Sequence, residues 1–230
     1  MKLLRTLWPV YLAVIVLFGG TTMLGNRMVT VVAERPEVKR QRIFVIDAGH
    51  GGEDGGTVSC TGVYESKLNL EVALRLNSLL HLLGHETVLT RTSPDALSTQ
   101  GDTIAARKLS DLKNRVRLVN SVPGGVLVSI HQNQFPQSRY AGPQVFWGPQ
   151  QGSKGLACRL QEAMNEGLKI RKGRGAREAG NVYLLRQVRC AAVLIECGFL
   201  SNPREEALLR TKEYQLKLCA VTAATLAGAT

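Results

Sequence analysis

Two histidines and two glutamates of this 230-residue chain stand at sequence positions that suit metal or acid–base chemistry. His50 sits in a DAGHGG turn directly behind the β-branched and aromatic run RIFVID, and His131 closes a second apolar run, VLVSIH. Glu196 ends a third, in LIECGF, and Glu65 stands at the start of a helical pattern. Ligands of open α/β sheets bind beyond the carboxyl ends of the strands, so these residues are expected to meet at one edge of a sheet. Zinc sites of hydrolases use three protein ligands, commonly two His and one Glu, and keep a position for a water whose pKa the metal lowers toward about 7. Two His and two Glu fit three ligands plus a general base. Residue types alone do not divide the two glutamates between those roles. Glycines 49, 51, 52, 55 and 56 let the backbone turn sharply around His50 and let substrate approach closely.

Blander readings compete with each residue. A Gly-rich loop behind a strand more often cradles a phosphate, but neither G-x-G-x-x-G nor the Walker Lys-Ser/Thr is written here. His131 by itself reads as a satisfied core histidine. Glu196 resists that reading, because an unpaired buried carboxylate costs several kcal/mol and calls for a metal or a proton-transfer task. His81 and His85 flank Gly84 at a helix end and read as surface residues.

The elements that must position these groups follow from hydrophobic spacing. Strands are predicted at 42–47, 86–91, 126–131, 144–147 and 192–196. Helices are predicted at 66–83, 110–120, 155–168, 203–209 and 213–226, the first with Ser66 as N-cap and Gly84 as its stop. Their alternation argues for an α/β fold, a mostly parallel mixed sheet sandwiched between helices. Residues 169–180 (KIRKGRGAREAG) read as a Gly-rich surface loop.

Composition sets the surroundings. With 44% hydrophobic and 20% charged residues the chain can bury a core, and disorder is excluded. The formal net charge of +11 favours an anionic neighbour, while 5% aromatics provide little for base stacking, so no nucleic-acid partner is expected. Thr6 to Asn26 is free of charge, long enough to span a bilayer, and preceded by Lys2 and Arg5. Residues 1–30 therefore read as a signal-anchor or transmembrane helix, residues 31–41 as a basic linker and 42–230 as an exported domain held outside the cytoplasmic membrane. Val31-Val32-Ala33 would suit a signal peptidase but lies far from the apolar centre. The five cysteines, an odd number without a C-x-x-C pair, read as small buried hydrophobes, Cys190 and Cys219 foremost.

From about Ile43 to Ala227 the chain resembles the zinc-dependent N-acetylmuramoyl-L-alanine amidases of the amidase-3 type. The resemblance is carried by IDAGHGGEDGG, the G-x-x-E of Gly62–Glu65, VLTR at 88–91, SIHQN at 129–133 and LIECGFLSNPREEALL at 194–209. It implies a zinc exopeptidase-like fold, one zinc ion on His50, Glu65 and His131, and Glu196 as the catalytic glutamate. Arg91, Arg115 and Asn133 match recurrent family positions, expected to buttress the strand ends or to face substrate. The implied reaction is hydrolysis of the amide between muramic acid and the L-Ala of peptidoglycan stem peptides. A single short domain behind one apolar helix, with the segment 97–120, is similar in particular to the germination-specific CwlD type of spore formers. That type implies a role in spore cortex, in the forespore intermembrane space, with a coupled deacetylase that forms muramic δ-lactam and, in some clostridia, a lipoprotein partner. A general wall or cell-separation amidase, a non-catalytic wall-binding module and a zinc peptidase are the competing readings.

Overall fold

The structure is a computed structural model that describes residues 42–98 and 100–228. The apolar segment and linker expected within residues 1–41 lie outside the described residues, among which no helix is long and apolar enough to cross a membrane. In chain order the elements are β1 (Phe44–Ala48), α1 (Glu65–Leu82), β2 (Thr87–Leu89), α2 (Ile104–Asn120), β3 (Val126–Asn133), β4 (Gln144–Trp147), α3 (Ser153–Gly167), β5 (Arg177–Glu178), α4 (Tyr183–Gln187), β6 (Ala192–Phe199), α5 (Pro203–Leu209) and α6 (Lys212–Ala227). They build one six-stranded sheet in the order β2-β1-β3-β6-β4-β5. The first four strands run parallel, and β4 is antiparallel to β6. The sheet is thus mixed and mostly parallel.

Its central strands are continuous apolar runs because both faces are covered. Phe44, Ile46, Val128, Ile130, Val193 and Ile195 point to one face, where they pack with Leu68 and Leu76 of α1, Leu160 of α3 and Leu218 of α6. The intervening residues Val45, Leu127 and Leu194 point to the other, against Val119 of α2 and Leu184 and Leu185 of α4. Each such aliphatic chain contributes about 1.5–3 kcal/mol on burial. Strict alternation has a consequence for chemistry: Asp47, Ser129, His131 and Glu196 share the parity of the second face. His131 and Glu196 are register partners on adjacent strands, and beyond them the register shifts so that Asn133 pairs with Phe199. Such irregularities terminate or re-aim a strand beside a functional edge.

Several boundaries differ from the sequence reading. Helix α1 starts at Glu65, and its N-cap is Tyr64 rather than Ser66, with no side-chain cap. Its far end is a Schellman turn, in which Gly84 (φ 82°) and His85 donate to the carbonyls of His81 and Leu80. That turn folds His85 back onto the core, where its ring meets Phe44 edge-on at 5.3 Å, so His85 is buried and not a surface residue. Helix α2 begins six residues before Ser110, because Thr103 caps it by accepting from the Ala106 amide at 3.1 Å. Its first turns are exposed and carry no apolar stripe, so periodicity alone missed them. Strand β5 and helix α4 are too short to show a period. The cysteines are not all buried as expected: Cys197 and Cys219 are, Cys190 is half-buried, and Cys60 and Cys158 are exposed; all five are free thiols.

Candidate metal and acid–base site

The DAGHGG turn is held rigid by two buried arginines. Arg115, from the inward face of α2, pairs with Asp47 at 2.6 Å and Asp111 at 2.7 Å and donates to the carbonyls of Ala48 and His50. Arg91, just beyond β2, donates to the carbonyls of Ala48, Gly49, Ser66 and Ser93. Both side chains are spent on backbone and buried carboxylates, which assigns them to buttressing the strand ends. Although burial alone would push Asp47 up, the Arg115 guanidinium and the Ser129 hydroxyl hold its carboxyl below the usual range. Breaking a buried pair of this kind costs about 3–5 kcal/mol, since the surviving charge has no solvent to turn to.

That buttress lets His50 adopt φ 61°, a left-handed conformation uncommon outside glycine. Strain of this kind is kept where the surroundings over-determine it. Here it turns the imidazole back over the strand end. Nδ1 of His50 meets Asp54 Oδ2 at 2.9 Å, and Nε2 meets Glu65 Oε1 at 3.3 Å. His131 Nδ1 reaches the same Glu65 oxygen at 3.0 Å. The ring of His131 lies against the backbone of Gly49, where a Cβ would land on its Nε2, so Nδ1 is the nitrogen left to face the cluster. The ligand atoms of His50, Glu65 and His131 lie within 4.8 Å of one another.

Glu65 is supplied by the first turn of α1, where the helix dipole favours a carboxylate. Its Oε1 also accepts from Asn69 Nδ2 and the Gln132 amide, and its Oε2 from the Thr57 amide at 3.0 Å. Two imidazole nitrogens aimed at one carboxylate oxygen need positive charge between them, as protons or as a metal ion. Burial works against a charged His50, yet Asp54 and Glu65 raise it to about 9, and the two imidazoles hold Glu65 well below the usual carboxylate range in spite of its burial. The cluster therefore favours a bound cation. Its donor set, two nitrogens and one oxygen with a carboxylate behind one imidazole, fits a divalent metal such as zinc.

Glu196 stands across from His131 in the sheet register. Its Oε2 is buried without a hydrogen-bond partner among the described residues, and burial pushes the carboxyl up to about 7. It opens onto a cavity of about 260 Å³ whose lining includes His50, His131, Lys108, Leu112 and Tyr183. A carboxylate poised near neutrality beside a cation site can accept and return a proton. Asn133 lies two residues past His131, and its backbone carbonyl accepts from the Leu200 amide at 2.8 Å. The structure thus brings together His50, Glu65, His131 and Glu196, and places Arg91 and Arg115 behind them.

Asp47, Asp54, Asn69 and Asp111 were not singled out from the sequence. Asp54 and Asp111 had a signal, since each stands four residues from the partner it serves, His50 and Arg115. Asp47 and Asn69 had none short of the fold.

An α/β sheet with a His, Glu and His cluster, and beside it a glutamate whose Oε2 has no hydrogen-bond partner among the described residues, is the frame of a hydrolase. Residues 44–227 match the family of N-acetylmuramoyl-L-alanine amidases, and the chain belongs to that family. It is 35% identical over 179 residues to the germination-specific N-acetylmuramoyl-L-alanine amidase of Bacillus subtilis (strain 168), covering 77% of this chain and 75% of the relative. Among solved structures it is similar to the CwlD amidase from Clostridioides difficile in complex with the GerS lipoprotein, with TM-score 0.77 and 33% identity over 80% of this chain and 96% of the other. It is also similar to the catalytic domain of CwlV from Bacillus (Paenibacillus) polymyxa, with TM-score 0.69 and 31% identity over 82% and 97% of the two chains.

Proposed function

We propose that this chain is a zinc-dependent N-acetylmuramoyl-L-alanine amidase that works outside the cytoplasmic membrane on spore cortex peptidoglycan. One observation carries the chemistry: His50, Glu65 and His131 converge to within 4.8 Å, beside a glutamate whose buried Oε2 has no hydrogen-bond partner among the described residues. His50 Nε2, His131 Nδ1 and Glu65 Oε1 would hold the ion. When bound, zinc supplies Lewis acidity toward the amide carbonyl and lowers the pKa of water.

The protein's own groups do the rest. Asp54 fixes the His50 ring by accepting from Nδ1, and the Gly49 backbone fixes the His131 ring from behind. Glu196 accepts a proton from the attacking water and returns it to the leaving nitrogen. One C–N bond breaks, one C–O bond forms, and the water proton ends on the amine of L-Ala. Mass spectrometry of a wall digest tests this reaction. It is expected to show intact stem peptides with L-Ala at a free amino terminus, together with peptide-free glycan; products cut within the peptide would instead indicate a peptidase. Gly49→Ala is expected to displace the His131 ring and weaken zinc binding by about 10–100-fold, the usual range for losing a supporting contact, measured by competition with a chelating dye.

The cortex role rests on the similarity to the germination-specific relative. A deacetylase acting on the bared muramic acid to close the δ-lactam would then be its functional partner. The CwlD amidase similar to this chain was solved with a lipoprotein, and a lipoprotein partner is proposed here as well. Residues 1–30 would anchor the enzyme in the membrane, with residues 31–41 as a basic linker to a catalytic domain over 42–230.

A further inference from the structure

Two cavities adjoin at the site. The first, about 260 Å³, opens over His50, His131 and Glu196. The second, about 250 Å³, runs along Gly51 and Gly52, past Asp95 and Ala96, to Ile104 and Arg107 of α2. They share Asp54, Lys108 and Asp111, so the boundary between them is built by one loop and one turn of α2.

The charges around that boundary are not equally committed. Asp47 and Asp111 are matched by Arg115, whose guanidinium is fully spent on them and on backbone carbonyls. Arg107 binds Glu53 through two nitrogens, at 2.7 and 2.9 Å. Lys108 differs. Its ammonium meets Asp54 Oδ2 at 3.0 Å, and its side chain is half exposed where the two cavities meet. An ammonium has three protons to donate, so one bond to Asp54 leaves two for a ligand. Asp54 in turn binds His50, which places Lys108 two hydrogen bonds away from the imidazole.

We infer that Lys108 reads the stem peptide, binding the free α-carboxylate of its second residue, and that the cavity along Gly51 and Ile104 receives the peptide arm. This inference rests on the amidase reading. Where the second stem residue is a glutamate joined through its side chain, its α-carboxyl is left free or amidated. That carboxyl lies one residue past the scissile nitrogen, at roughly 3.5 Å per extended residue. Lys108 Nζ lies 3.0 Å from Asp54 Oδ2, which is itself 2.9 Å from His50 Nδ1, and among the described residues it is the one lysine or arginine that lines both cavities. A carboxylate there gains a charge-assisted bond that a carboxamide does not.

The test compares two sets of glycan strands that differ only in whether this α-carboxyl is free or amidated, digested by the full chain and by Lys108→Met and Lys108→Arg. The unaltered protein is expected to favour the free acid about tenfold in kcat/KM, mainly through KM, as one charge-assisted bond allows. Lys108→Met should bring that ratio to within about twofold of unity, and Lys108→Arg should restore most of it. The ratio is the readout because any disturbance passed through Asp54 to His50 falls on both substrates alike. Equal cleavage of both substrates by the unaltered protein overturns the assignment, as does a preference that survives Lys108→Met. Release from neither substrate instead contradicts the amidase reading, and the inference falls with it.

Discussion

Glu196→Gln should lower turnover on purified peptidoglycan by about 10²–10⁴-fold, the usual contribution of a general acid–base group, while zinc content stays at the unaltered level. Glutamine has the same shape, and Oε2 of Glu196 makes no hydrogen bond among the described residues, so the exchange breaks no bond there. It also removes a carboxylate that burial already disfavours in its charged form. Thermal stability should therefore hold or rise. What is lost is the acceptor: an amide oxygen cannot take the proton of water and hand it to the departing amine. Turnover near that of the unaltered enzyme, with zinc in place, would remove Glu196 from the mechanism.

His131→Ala should do something different. It removes one of the three proposed ligands and is expected to abolish both zinc retention and peptide release, leaving activity at background. The fold should survive, because the anchors of Glu65 on Asn69, Thr57 and the Gln132 amide do not involve the imidazole. Neither apolar core includes His131. Circular dichroism and thermal melting would confirm a folded protein, and metal analysis beside a release assay would give the rest. The two variants together separate holding the ion from moving the proton. A folded His131→Ala protein that keeps a full equivalent of zinc would mean that the imidazole is not a ligand.

The legibility of the site in the sequence follows from where each group sits. His50, His131 and Glu196 end apolar runs, and in a parallel sheet such ends gather at one edge, so three of four residues could be placed by pattern alone. Glu65 could be brought near them only as the first residue of the following helix, and its place as a ligand rather than a base came with the family resemblance. The buttress was harder to see. Arg115 and Asp111 look like an ordinary surface pair four residues apart on a helix. Only the packing of α2 on the second face of the sheet turns them inward onto Asp47. Hydrophobic spacing likewise found the long helices but missed α4, five residues long, and the polar first turns of α2. Burial of His85 depended on the Schellman turn, whose Gly84 was visible while its direction was not.

The amidase reading stands or falls on a cation held between two imidazoles and a carboxylate, and metal analysis joined to a crystal structure collected at the zinc absorption edge tests it most directly. One zinc per chain is predicted, with its anomalous peak within bonding distance of His50 Nε2, His131 Nδ1 and Glu65. A folded, active enzyme that carries no metal after exhaustive chelation, or an anomalous peak away from these three side chains, would contradict it.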